Sequence, residues 1–263
     1  MRRSPLSGIW YCICPPVLMV ALNVFIYLGA VLVYQAFFGS SYADADAFMD
    51  SAGGIISIIC YIAGIAVFAV LYRRDGNEAS GLLFSEWFYI PAVCVFGALA
   101  SHGLSILVSL VNIDGILGSY AESSSSLFAY GAVFVIVRTV ILAPLVEELV
   151  FRGLLFRRIE GFLGFWPAAL LSAAAFGVYH LNLAQGIFAF LFGILFCLIL
   201  RRFASLWACI FMHAAANLLS VILEYSGADY GSTGAYVIVM AACLAAAAGL
   251  YFGIIRGKKE RSR

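Results

Sequence analysis

Between residues 147 and 217 the chain carries Glu147, Glu148, Arg152, His180, His213 and Asn217. These side-chain types can do chemistry together. A carboxylate takes a proton from water, and an imidazole orients the water or relays the proton. A His and an Asn can donate hydrogen bonds to the oxyanion that the attack creates. Two of the chain's three histidines belong to this set. It is an inventory for water activation with oxyanion stabilisation.

Spacing divides the roles. Glu148 and Arg152 are at i,i+4 and share a helix face. Glu147 points about 100° away from Glu148. One carboxylate therefore has a built-in counter-ion, and the other is free for a different task. Taken alone, the pair also reads as a plain structural Glu–Arg clasp. Pro144 cannot donate to the carbonyl of Val140, which loosens the helix one turn before the acids. His180 closes the stretch Phe176-Gly-Val-Tyr-His180, late in an apolar run. A lone histidine in such a place is more often a packing residue. His213 and Asn217 are again at i,i+4, and the three alanines between them leave that face open to a neighbour.

The elements that hold these residues follow from composition. Of 263 residues, 64% are hydrophobic and only 11% are charged, where a soluble domain carries roughly 25%. Fifteen basic residues against fourteen acidic ones leave no basic excess for nucleic acid. The composition excludes a soluble enzyme, a disordered chain and a secreted disulfide scaffold. It implies an all-α polytopic transmembrane helix bundle. A span needs about 20 apolar residues, and eight candidates fit: Val17–Phe38, Ala52–Tyr72, Phe88–Val111, Leu127–Val150, Pro167–Leu183, Ile187–Leu200, Leu206–Leu223 and Ala235–Ile255. The fifth and sixth are short, and tilted or partly re-entrant arrangements suit them.

Lys and Arg concentrate on the cytoplasmic side of a membrane. Here Arg2, Arg3, Arg73, Arg74, Arg157, Arg158, Arg201, Arg202 and the C-terminal Arg256, Lys258, Lys259, Arg261 and Arg263 all fall on one side of an eight-span chain. The opposite loops hold Asp44, Asp46, Asp50, Asp114, Glu122, Glu224 and Asp229. Both termini are thus expected in the cytoplasm, and the basic N-terminal span is expected to stay as an anchor. Three parts are expected: residues 1–126 with spans that carry no recognised motif, a core at 127–223, and a last span with a basic tail at 224–263. The serine run 123–126 reads as a loop.

The remaining polar residues take plainer readings. Arg138 lies near the middle of span four without a sequence partner; it is expected to pair with Glu86 or to face the cavity. His102 reads as a packed histidine. The seven cysteines act as small hydrophobes. Trp10, Trp87, Trp166 and Trp207 read as interfacial anchors.

Glu147-Glu148-x-x-x-Arg152, Phe176-x-x-x-His180 and His213-x-x-x-Asn217, in that order on successive apolar helices, resemble the CPBP family. This group comprises type II CAAX prenyl endopeptidases and bacteriocin-processing or immunity-related membrane proteins. The context Glu147-Glu148-Leu-Val-Phe-Arg152-Gly153-Leu-Leu-Phe and the run His180-Leu-Asn182 add to the likeness, which covers roughly Val133–Leu223. It implies an intramembrane glutamic endopeptidase without a catalytic metal or other cofactor. By the same resemblance, Glu147 with His180 activates water, His213 and Asn217 stabilise the oxyanion, and Glu148 with Arg152 braces the site. For Glu147, His180 and His213 to meet, span five must tilt or begin outside the hydrocarbon. A cavity open to the cytoplasm follows.

Other readings stay open. Two Glu and two His could hold zinc; the His-Glu-x-x-His helix is absent, and Arg152 would repel a cation. The same residues suit a proton-coupled carrier or a catalytically silent scaffold. The expected partners are a lipid bilayer and a peptide or membrane-anchored protein substrate. The expected location is the cell membrane of a prokaryote. There, a leader peptide, a bacteriocin precursor or a membrane-anchored regulator is a better candidate substrate than a prenylated protein.

Overall fold

The computed structural model describes residues 5–38, 42–76, 84–111 and 130–255. Arg2 and Arg3, the acids Asp114 and Glu122, the serine run 123–126 and the basic tail beyond residue 255 lie outside them. The described residues are helical with no strand.

Among the described residues, eight helices follow one another. They are α1 (Pro5–Phe38), α2 (Tyr42–Arg74), α3 (Ile90–Leu110, entered through a 3₁₀ turn at Phe84–Tyr89), α4 (132–163), α5 (Phe165–Tyr179), α6 (Leu183–Phe203), α7 (Leu206–Ser226) and α8 (Thr233–Leu250, continued by a π turn at Tyr251–Ile255). Six of them are long and apolar enough to cross a membrane. The two others are α4 and α5, and each has a physical reason to stand apart. Helix α4 carries Arg138, Glu147, Glu148 and Arg152 in its apolar length. Helix α5 is apolar but has only 15 residues, about 22 Å at 1.5 Å per residue, against a hydrocarbon core of about 30 Å. Asp44, Asp46 and Asp50, expected in a loop, fall within α2.

Helix α4 is bracketed by Gly131 and Gly164, both at positive φ. It is not uniform. A short α segment (Ala132–Val135) widens into π-helix at Ile136–Leu142, tightens to α at Ala143–Glu148, and widens again at Leu149–Phe156 before the final α segment Arg157–Leu163. Pro144 opens the central α segment, where its missing N–H and fixed φ are tolerated. Wide turns of this kind occur often at functional sites. Here they flank the stretch that bears both acids.

Helix α7 packs along the first wide segment and the central one, α2 covers the same stretch, and α1 lies against the second wide segment. Helices α5 and α6 form a tight hairpin. Their backbones meet at Gly177 and Gly186, where a Cβ on Gly177 would come within 2.6 Å of the Gly186 carbonyl oxygen. Helix α3 packs on α7 and α8. The core centres on Val146, Val150, Phe151, Leu154, Phe176, Phe196, Cys209 and Met212. All seven cysteines are free thiols.

Candidate active site

The central α segment of α4 points Glu147 and Glu148 inward, and both are buried, with Glu148 at 0% exposure. The i,i+4 geometry brings Arg152 Nη1 to 3.2 Å from Glu148 Oε1. Arg152 is itself fully buried. Its guanidinium is covered by two rings, with Cζ 4.4 Å from the Phe176 centroid and 4.5 Å from that of Phe196. Cation–π contact partly replaces the lost water. Gly193 makes room for this arrangement, since a Cβ there would meet Arg152 Nη2 and Ala173 Cβ at 3.0 Å. Helix α5 is tied to α4 by the Ser172 hydroxyl, which donates to the Phe151 carbonyl at 2.8 Å.

Helix α7 delivers His213 between the two acids. Its Nδ1 is 2.9 Å from Glu148 Oε1, and its Nε2 is 3.7 Å from Glu147 Oε2. A carboxylate only accepts, so Nδ1 carries the proton of that bond. Glu148 therefore fixes the imidazole's orientation and aims Nε2 at Glu147. The ring also packs on Phe196, with centroids 5.0 Å apart.

His180 occupies the C-terminal cap of α5, one residue beyond Tyr179, on the turn instead of inside a span. Its Nδ1 lies 2.8 Å from the Phe176 carbonyl oxygen. That bond satisfies a carbonyl left over at the helix end and places the proton on Nδ1, leaving Nε2 as an acceptor. Leu181 follows in the left-handed region at φ 54°, a position that costs a non-glycine residue energy. Asn182 then caps α6 by accepting from Gln185 N–H at 3.0 Å. The turn is thus over-determined on both sides of His180. His180 and His213 both pack against Phe176, with centroids 4.8 and 6.0 Å from it. Among the described residues, no hydrogen bond or ion pair joins His180 to Glu147 directly.

Asn217 lies one turn beyond His213, and its Nδ2 donates to the Thr139 carbonyl at 2.8 Å. The wide helix explains why that acceptor is available. Ala143 N–H bonds to Arg138 C=O, five residues back. The next such bond, to Thr139 C=O, would need an N–H on residue 144, which is proline. The Thr139 carbonyl therefore loses its helical donor, and Asn217 supplies one. One amide N–H of Asn217 is occupied there, and the amide has a second.

Arg138 does not pair with Glu86. Its Nε donates to Ser57 Oγ at 3.1 Å, and its Cζ stands 5.7 Å from the Tyr61 ring centroid. His102 accepts or donates across 2.8 Å to the Tyr230 hydroxyl, as befits a packed histidine. The structure thus brings Glu147, Glu148, Arg152 and His213 into one buried cluster. His180 adjoins it across Phe176, and Asn217 is anchored to the same helix as the acids. Sequence reasoning missed Phe196 and Gly193, which carry no pattern that ties them to Arg152. Among the described residues, no group of three or more His, Cys, Asp or Glu side chains has the arrangement of a metal site.

Residues 129–219 match the type II CAAX prenyl endopeptidase Rce1-like family. The chain is 26% identical over 217 residues to a Bacillus subtilis (strain 168) protein named "Putative membrane peptidase YdiL", covering 78% of this chain and 87% of that one. No solved structure matches. The two likenesses bear out the resemblance to the CPBP family and support a protease activity in a membrane protein.

Proposed function

We propose that the chain is an intramembrane endopeptidase in which Glu147 is the general base. The observation that carries this reading is the His213 bridge, with Nδ1 bound to Glu148 and Nε2 facing Glu147. A carboxylate that holds a histidine by one nitrogen, so that the other nitrogen faces the chemistry, is the orienting logic of an acid–histidine catalytic set. The relative's name and the matched family agree with peptide hydrolysis.

In this reading a water is held between Glu147 and His180 Nε2. Glu147 takes one proton as the water's oxygen attacks the peptide carbonyl, and the carbonyl oxygen becomes an oxyanion. His213 in its imidazolium form, through Nε2–H, and the second N–H of Asn217 donate to that oxyanion. Collapse breaks the C–N bond, and Glu147 returns its proton to the leaving amine. Glu148 and Arg152 touch no substrate; they hold His213. The substrate is a peptide or a membrane-anchored protein, reached within the bilayer. No step requires a metal or other cofactor.

The test is a comparison of protein N-termini in the native host between the wild type and Glu147→Ala, at matched membrane levels. The reading expects N-termini that are present in the wild type and lost in the variant. An unchanged set under several growth conditions overturns it and favours the scaffold or carrier. Loss of purified activity with a chelator, restored by zinc, overturns the metal-free mechanism.

A further inference from the structure

Two arginines lie within the apolar length of α4, and only Arg152 has a carboxylate. Among the described residues, none lies within ion-pair distance of Arg138. It is half-buried, and its Nε donates to a neutral hydroxyl, Ser57 Oγ, which itself donates to the Gly54 carbonyl at 2.6 Å. Ser57 and the Tyr61 ring fix the guanidinium through Nε and one face. The two Nη groups, the fork that grips a carboxylate with two parallel bonds, are not engaged by that contact. An intramembrane cation without an acid is expensive and by default functional.

Its location ties it to the site. Tyr61 from α2 and Tyr179 from α5 each lie within electrostatic reach of both Arg138 and Glu147. Asn23 of α1 lies close to Tyr179. Polar groups of α2 and α5 thus lie near both Glu147 and Arg138. Arg138 is nine residues before Glu147, about 13 Å along a helix. An extended peptide covers that distance in about four residues at 3.3 Å each.

We infer that Arg138 docks a carboxylate of the substrate chain, three to five residues from the bond that Glu147 attacks. The inference rests on the peptidase reading above and names what that site selects. The carboxylate is either an Asp or Glu side chain or the chain's own C-terminus; a guanidinium fork binds both in the same way.

The experiment starts from a peptide containing a cleavage site that depends on Glu147. The full-length protein is reconstituted in phosphatidylcholine vesicles. The peptide is made in its natural form, with the nearby acidic side chain changed to its amide, and with the C-terminus amidated. With the wild-type protein, one of the two neutral forms should lose about tenfold or more in kcat/KM, and which one loses it identifies the source of the carboxylate. With Arg138→Leu, the natural and neutral forms should be cleaved at equal rates. Equal rates for all three peptides on the wild type overturn the inference. So does a preference that persists in Arg138→Leu, or a set of cleaved chains with no carboxylate at that span. The peptide comparison on the wild type stands even where Arg138→Leu fails to accumulate. Absence of any Glu147-dependent cleavage is a different result: it removes the peptidase reading, and the inference with it.

Discussion

Arg152 and Arg138 are on the same helix, fourteen residues apart in a chain with few intramembrane charges. Their surroundings differ in every respect that matters. Arg152 is fully buried, paired with Glu148 and covered by two phenyl rings. Arg138 is half-buried and held by a hydroxyl and one tyrosine. The first cation serves the protein's own architecture; it balances the acid that orients His213. The second keeps its charge available. The two side chains meet different neighbours, Arg152 the rings of α5 and α6, Arg138 the hydroxyl of Ser57 on α2.

The comparison can be broken most strongly at Arg152. Arg152→Ala leaves Glu148 buried without its counter-ion, which costs about 3–5 kcal/mol. The variant should accumulate poorly in the membrane and melt at lower temperature, as size-exclusion of a fluorescent fusion would show. Arg138→Leu should do neither, since it removes no ion pair. Equal loss of accumulation in the two variants would erase the distinction.

Glu148→Gln breaks the same pair from the acid's side. It keeps the shape of the side chain but weakens its hold on both Arg152 and His213. Turnover per folded molecule should fall by about 10²–10⁴-fold, and accumulation should fall as well, because Arg152 is left buried without its counter-ion. A variant with normal turnover would show that His213 needs no orienting acid.

Smaller effects sharpen the picture. Gly193→Ala puts a methyl against Arg152 Nη2 and Ala173, and overpacking of this kind costs about 1–3 kcal/mol. Thermal unfolding should show the shift. Asn217→Ala leaves the Thr139 carbonyl without its donor, a loss of about 1–3 kcal/mol. If Asn217 also faces the oxyanion, turnover falls further than this destabilisation explains; if stability alone changes, its role is to seal the wide turn.

Much of this was legible in the sequence. The all-α membrane bundle followed from composition, and the Glu148–Arg152 pair from i,i+4 spacing. The grouping of the acids with His213 followed from the motif order that resembles the CPBP family. What the spacing did not reveal depends on helix geometry that departs from the ideal. The π turn before Pro144 leaves the Thr139 carbonyl without a helical donor, and Asn217 takes that place. The short α5 puts His180 on a turn, where its ring caps the helix. The rings over Arg152 come from two different helices, and contact between separate helices leaves no periodic mark in either one.

The central claim is that Glu147 is the base. It is tested most directly by the cleavage rate of purified wild-type and Glu147→Gln protein on one identified substrate, in the same lipid. The account predicts a fall of at least about 10²-fold with unchanged thermal stability. A Glu147→Gln protein that cleaves at the wild-type rate would contradict it.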